Sequence, residues 1–310
     1  MKNKIFCSKC KKEYFDQWWL CPSCGAGLDA ENFLVKNRLV KSMGEGNTPL
    51  ICLEKLSSRL DCDLWAKCEY QNPTGSFKDR GSMVEIEKAL ELGKNGIVCA
   101  STGNMAASLS AYAARNNLKC KVVIPEKTSE SKLKQAIACG AILVKVDGTY
   151  DECVGLAKSI ANKENFFLCG DYLLRRQGQQ SIGLELADKN FESFVVPIGN
   201  GNVGVAIAKG LKGVKFIGVK AKNRETKALA IKVRNPLDKY LISEWVKKTN
   251  GLLVTVTDKE IFEAQKILAK EEGLYVESAA AATLAGLLKM KENIKGQKIV
   301  LILTGSGLKD

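Results

Sequence analysis

Along this chain, short apolar runs bounded by turn residues alternate with longer stretches whose apolar positions recur every third or fourth residue. These are the marks of buried strands and amphipathic helices. Leu64–Glu69 reads as a strand, Asp79–Leu92 as a helix closed by Gly93, and Gly96–Ala100 as a strand. An Ala-rich helix over Asn104–Asn116 follows, then a strand over Lys121–Pro125 and a helix over Ser129–Ala138 stopped by Gly140. Ala141–Val146 is a strand and Tyr150–Glu164 a helix. Beyond a helix over Gly178–Leu186, the strand Ser193–Ile198 leads into a helix over Val203–Leu211, and Phe216–Lys220 is a strand. Helices over Asp258–Glu272 and Ala279–Lys291 precede a last strand, Lys298–Leu303. Strands separated by helices of this length predict an α/β fold of parallel sheets with helices on both faces. Residues 31–60 read as a lead-in with turn chemistry at Gly44–Pro49, and residues 1–30 break the pattern altogether.

That first segment is rich in cysteine, glycine and aromatic residues. Cys7-x-x-Cys10 and Cys21-x-x-Cys24 are two knuckles that can place four thiolates tetrahedrally around one Zn²⁺. A segment with so few apolar residues needs such a staple to fold. With all four ligands from the protein, the zinc is expected to be structural. The competing readings are a redox pair or a ribbon without metal.

Composition narrows the chemistry. The chain has 310 residues and no histidine. That excludes Ser-His-Asp and Cys-His catalysis and every His-ligated metal site. A general base must be Lys, Asp, Glu, Tyr or a cofactor group. The formal charge is +13, from 47 basic and 34 acidic residues. No compact basic run carries interleaved aromatics, so the excess reads as a solvated Lys-rich surface that favours small anions, not nucleic acid. No apolar stretch is long enough to span a bilayer. Cys7 and Lys9 interrupt the basic start before any apolar signal core. A cytoplasmic protein with no membrane attachment is expected, and reduced thiols with it.

Four runs carry candidate chemistry. In Asn72-Pro73-Thr74-Gly75-Ser76-Phe77-Lys78-Asp79-Arg80, Pro73 and Gly75 force a turn and Ser76 can cap the helix after it. Lys78 then sits where the positive end of the helix dipole disfavours an ammonium, as Schiff-base chemistry requires. Read alone, the run is equally a surface lysine beside Asp79 and Arg80. In Ala100-Ser101-Thr102-Gly103-Asn104, a strand ends in a small polar turn whose N–H groups suit a carboxylate, or merely cap a helix. In Pro197-Ile198-Gly199-Asn200-Gly201-Asn202-Val203, a strand enters a glycine-rich turn that suits a phosphate, although it is neither a dinucleotide fingerprint nor a Walker loop. The closing run Leu303-Thr304-Gly305-Ser306-Gly307-Leu308-Lys309-Asp310 delivers Thr304 and Ser306 to the carboxyl end of a buried strand, or simply turns the chain there.

In order and spacing these four runs, with Glu277-Ser-Ala-Ala-Ala-Ala, resemble the threonine synthases, a family of fold type II pyridoxal-phosphate enzymes related to tryptophan synthase β. The resemblance covers residues from about 44 to 310. It implies two open parallel-sheet α/β domains behind the four-cysteine zinc ribbon: ribbon 1–30, a large cofactor domain 31–72 and 148–310, and a small domain 73–147 inserted in it. It implies pyridoxal 5′-phosphate on Lys78 as a Schiff base, with Lys78 then shuttling protons. Asn104 would bond the ring hydroxyl, Gly199, Asn200, Gly201, Asn202 and Val203 the phosphate, and Thr304 the ring nitrogen. Ser101, Thr102 and Gly103 would receive the substrate carboxylate. The family reaction makes threonine and phosphate from O-phosphohomoserine and water, and family members are often dimers. Some relatives of this family, cysteate synthases among them, carry a similar ribbon.

The sequence departs from the family in places. Its phosphate loop is Gly-Asn-Gly-Asn-Val where many members have Gly-Asn-Ala-Gly-Asn; Gln177 and Gln180 stand for Glu and Lys; Ser306 stands for Asn or His. The loss of Lys at 180 removes a cation for the substrate phosphate. Two alternatives follow: sulfite-dependent β-replacement on O-phosphoserine, as in cysteate synthases, and a non-catalytic zinc-ribbon binding protein.

Overall fold

The computed structural model describes residues 4–16, 18–30, 39–129, 133–223, 225–233 and 235–309. Three sheets organise it. The first is the N-terminal ribbon, antiparallel in the order β2-β1-β3, from β1 (Ile5–Cys7), β2 (Glu13–Tyr14) and β3 (Leu28–Ala30). The lead-in of residues 31–60 is described only from residue 39. There it supplies β4 (Leu50–Cys52) and α1 (Glu54–Leu60), neither visible in the hydrophobic period.

The largest sheet has six strands in the order β12-β11-β10-β13-β5-β4. Its core strand β13 (Lys298–Ile302) lies between β10 (Ser193–Pro197) and β5 (Asp63–Lys67), parallel to both. β11 (Lys215–Ala221) and β12 (Leu252–Val256) extend it on one side, and antiparallel β4 closes the other. β13 is buried from Ile299 to Ile302 because helices cover both faces. On one face lie α9 (Asp258–Glu272) and α10 (Ser278–Leu288), the latter buried nearly throughout. On the other lie α6 (Leu173–Leu186), α7 (Asn202–Gly210) and α8 (Lys239–Lys248).

The second parallel sheet has the order β8-β7-β6-β9, from β6 (Gly96–Ala100), β7 (Lys119–Pro125), β8 (Ile142–Val146) and β9 (Phe166–Leu168). Around it pack α2 (Lys78–Glu91), α3 (Asn104–Arg115), α4 (Lys134–Ala138) and α5 (Tyr150–Lys163). The boundary drawn at residue 147 cuts through this sheet. After β8 the chain returns through α5 to β9, which pairs with β6 from Gly96↔Phe166 to Val98↔Leu168. A three-residue apolar run is too short to announce itself as a strand, and it places the end of this layer near residue 168. The helix expected over Ser129–Ala138 is described only from Leu133, since residues 130–132 lie outside the described residues.

The ribbon docks on the second sheet. Trp19 Nε1 donates to the Leu168 carbonyl at 2.9 Å, and its ring lies 5.9 Å from that of Phe167. Ile5, Trp18 and Leu28 join the apolar cluster of Val84, Ile97 and Leu109. No helix among the described residues is long and apolar enough to cross a membrane.

Candidate active site

The four motif runs converge where the carboxyl ends of the two parallel sheets face each other. Lys78 opens α2, but Ser76 does not cap that helix. Phe77 is the N-cap without a side-chain bond, and Ser76 Oγ is buried with no partner among the described residues. The turn is fixed instead by Asp79, whose carboxylate accepts from Thr74 N at 2.7 Å and Thr74 Oγ1 at 2.5 Å. Behind it, buried Arg80 donates to Glu69 at 2.7 Å through both Nε and Nη2, and to Glu185 at 2.5 and 2.9 Å. Arg175 donates to the Lys78 carbonyl at 3.0 Å and pairs with Glu85. The helix start that carries Lys78 is thus held by charged bonds on two sides.

Lys78 Nζ meets Asp171 Oδ1 at 2.6 Å, and Asp171 Oδ2 accepts from Asn200 Nδ2 at 3.0 Å. Burial alone would raise the Asp171 carboxyl; the Lys78 ammonium, Arg175 and Asn200 outweigh it and hold it down at about 2. Asp171 was not foreseen from the sequence. It lies just past the end of β9, so it became visible only when that short strand was placed.

A second carboxylate, Glu277, joins Asn104 to Thr304. Asn104 Nδ2 donates to Glu277 Oε2 at 2.7 Å and Thr304 Oγ1 to Glu277 Oε1 at 3.0 Å. The Thr304 carbonyl accepts from Phe77 N at 3.0 Å, which sets Thr304 beside Lys78 in the fold. Ser101, Thr102 and Gly103 form the turn before α3, where Gly103 N donates to Ser101 Oγ at 3.4 Å. A Cβ built on Gly103 would meet nothing within 4 Å, so open space lies over the turn.

Gly199 to Val203 link β10 to α7, where Gly201 is the N-cap at φ +94°, a left-handed conformation natural to glycine. A Cβ there would lie 2.2 Å from Ile242 Cδ1. Asn202 is 3% exposed, and its Nδ2 has no hydrogen-bond partner among the described residues. An unpaired buried donor at a helix N-terminus with a glycine approach suits a phosphate. A neighbouring lysine, the Asn104 N–H not given to Glu277, and the Thr304 hydroxyl beside them complete a set of polar groups that fits pyridoxal 5′-phosphate.

In the ribbon, the sulfurs of Cys7, Cys10, Cys21 and Cys24 all lie within 4.8 Å of one another. Cys7 and Cys24 are 3.5 Å apart, Cys10 and Cys21 3.7 Å. A tetrahedral zinc with Zn–S of about 2.3 Å sets its sulfurs about 3.8 Å apart. Burial raises the Cys7 thiol, and the amides of Lys9 and Cys10, pointing at its Sγ at 3.4 and 3.3 Å, oppose that rise as they would for a metal-bound thiolate. The cluster fits a structural metal.

Residues 41–305 match the family model described as pyridoxal-phosphate dependent enzyme. The fold is shared with a solved structure: maize serine racemase superimposes with a TM-score of 0.77 at 20% identity, covering 84% of this chain and 88% of that one. The class is therefore a pyridoxal-phosphate-dependent enzyme of α/β fold. Among curated proteins, the threonine synthase of Halalkalibacterium halodurans is 39% identical over 298 residues, 87% of this chain and 84% of that protein. That of Methanocaldococcus jannaschii is 38% identical over 312 residues, 87% and 77% respectively. The chain belongs to the threonine synthase family of pyridoxal-phosphate-dependent enzymes, and pyridoxal phosphate is that family's cofactor.

Proposed function

We propose that this chain releases phosphate from O-phosphohomoserine and adds water to give threonine, with Lys78 as the residue that carries the cofactor. One observation supports this above the others: Lys78 stands beside the Asn200 loop through Asp171, and beside Thr304 and Asn104 through the Phe77 and Glu277 contacts. The reading also draws on the threonine synthases to which the chain is similar.

When bound, pyridoxal phosphate supplies an electron sink for chemistry at the substrate's α carbon. The Gly199–Val203 turn and the Asn202 amide would hold its phosphate, Asn104 its ring hydroxyl through the N–H not given to Glu277, and Thr304 its ring nitrogen by turning its hydroxyl proton from Glu277. The chain's own groups do the rest. N–H groups at Ser101, Thr102 and Gly103 fix the substrate carboxylate and so aim the α carbon's proton at Lys78 Nζ, which moves it. Asp171 orients Nζ.

Asp171 also favours a second reading. A phosphomonoester brought within about 4 Å of its carboxylate is repelled by roughly 1 to 4 kcal/mol per charge pair, depending on screening. A neutral hydroxyl amino acid such as serine or threonine escapes that penalty. The test is to titrate the loaded enzyme with O-phosphohomoserine, O-phosphoserine with and without sulfite, serine and threonine, and to identify products. Threonine and phosphate formed from O-phosphohomoserine alone support the first reading. Turnover confined to serine and threonine replaces it with the second.

A further inference from the structure

We propose that the N-terminal ribbon is a working part of the cofactor-phosphate site, and that Arg176 is the positioning residue that joins the two. The proposal rests on the assignment of the Gly199–Val203 turn to the cofactor phosphate.

Arg176 lies on α6 and is 1% exposed. Its guanidinium reaches three separate pieces of chain. Toward the ribbon, Nη1 donates to the Leu28 carbonyl at 2.7 Å and to Asp29 Oδ1 at 3.2 Å. Toward α8, Nη2 donates to Asp238 Oδ1 at 2.6 Å. Toward the phosphate turn, Nε donates to Asn202 Oδ1 at 3.0 Å. That last bond decides which end of the Asn202 amide is free. With Oδ1 held by Arg176, Nδ2 is the end left over, and it is the buried donor without a partner among the described residues. Arg176 thereby presents Asn202 as a donor, the polarity an anion needs.

Asp238 braces the same turn from the other side. Its backbone N–H donates to the Asn200 carbonyl at 3.1 Å, and Ile242, one turn along α8, occupies the space where Gly201 lacks a Cβ. The ribbon presses directly on this brace, since a Cβ on Gly27 would lie 2.5 Å from Asp238 Oδ1. Asp29 is held a second time by Lys209 Nζ, at 2.6 Å, from α7 itself. Asp29, Arg176 and Asp238 are all buried, and charges so placed tolerate no loss of a partner. If β3 leaves, Arg176 loses two of its four acceptors, the Leu28 carbonyl and Asp29. It then re-aims, and the Asn202 amide is no longer fixed.

The ribbon's folding is tied to its metal, because a unit this small has little core of its own. Metal occupancy at Cys7, Cys10, Cys21 and Cys24 therefore sets the affinity of a site built by other residues.

The experiment uses the full-length holoenzyme and measures the cofactor dissociation constant by absorbance and fluorescence titration, alongside metal content and kcat at saturating cofactor. Stripping the metal with a chelator should weaken cofactor binding about tenfold or more, the scale of one lost bond to a charged group. Returning Zn²⁺ should restore it. Arg176→Met and Gly27→Ala should keep their metal, weaken cofactor binding on the same scale, and recover most of the wild-type kcat when cofactor is in excess. Where Arg176→Met does not fold, Gly27→Ala carries the test, because it removes no polar group. Trp19→Phe, which loosens the ribbon at Leu168 and leaves the Arg176 bonds alone, should lower thermal stability without changing cofactor affinity. The proposal is overturned by a metal-stripped enzyme or a Gly27→Ala variant that binds cofactor as tightly as the wild type. A wild-type chain that takes up no cofactor at all overturns the reading of the site, and this proposal with it.

Discussion

Glu277→Ala tests the site where its parts are most tightly connected. Glu277 is 5% exposed, and its carboxyl group fills the space beside Gly305, where a Cβ would lie 2.4 Å from it. The truncation removes two bonds to a charged acceptor, from Asn104 at 2.7 Å and Thr304 at 3.0 Å. Each such bond contributes about 1.5–3 kcal/mol. Water entering the vacated space recovers part of this, so a net loss of about 2–3 kcal/mol in folding stability is expected, and cofactor affinity falls because Asn104 and Thr304 are no longer held in place, by at most roughly 30- to 150-fold. Glu277→Gln separates charge from shape. An amide has one acceptor and one donor end, so it can keep Asn104 and donate to the Thr304 oxygen. The single Thr304 proton then no longer has Glu277 as a competing acceptor, so on the proposed assignment it would bond the ring nitrogen more fully. Affinity near the wild type with a shifted absorption band is the expected result. The assay is equilibrium titration of the cofactor-free protein, with urea unfolding in parallel to separate binding from stability. A Glu277→Ala variant with wild-type affinity and an unshifted spectrum would refute the reasoning.

Other outcomes follow from the same contacts. Arg80→Met leaves Glu69 and Glu185 without their shared cation and should cost about 3–5 kcal/mol in urea unfolding of the cofactor-free chain; an unchanged midpoint would count against that network. The Glu185 carboxyl is raised by burial, yet Arg80 and Lys67 bring it down to about 2. A depressed carboxyl stabilises the fold above its unfolded value, about 4.3. That contribution is lost as pH falls from there through about 2, so wild type and Glu185→Gln should converge in stability across this window. Equilibrium unfolding at stepped pH measures it, and curves that stay parallel would exclude the mechanism. Asp171→Asn should retain the cofactor and lower kcat by about tenfold or more through loss of control over Lys78 Nζ; steady-state kinetics with an unchanged kcat would remove Asp171 from the mechanism.

Much of the fold was legible because burial left local marks. β6 and α9 match the expected Gly96–Ala100 and Asp258–Glu272 residue for residue. α9 also carries a capping box, Thr257 with Glu260. What stayed hidden depended on distant partners. α6 begins at Leu173, not Gly178, because Arg175 and Arg176 interrupt its apolar stripe. They are buried only because Glu85, Asp29 and Asp238 come to meet them from elsewhere in the chain. α8 and β12 also stayed hidden: β12, Leu-Leu-Val-Thr-Val, carries an apolar run, but a short one of which only Val256 is fully buried.

The site divides the same way. Lys78, Asn104, the Gly199 turn and Thr304 each sit in a local motif. The carboxylates that connect them do so across long sequence separations: Asp171 meets Lys78 from 93 residues away, and Glu277 meets Asn104 from 173. Glu277 opens a run quoted in the resemblance, but nothing local assigns it a partner.

Lys78 is the lysine proposed to carry the cofactor. Reducing the pyridoxal-phosphate-loaded protein with borohydride and mapping its peptides by mass tests this most directly. The expected result is one pyridoxyl group per chain, on the peptide that contains Lys78, and none in Lys78→Ala treated alike. A label on another lysine, or a Lys78→Ala variant labelled as fully as the wild type, would contradict it.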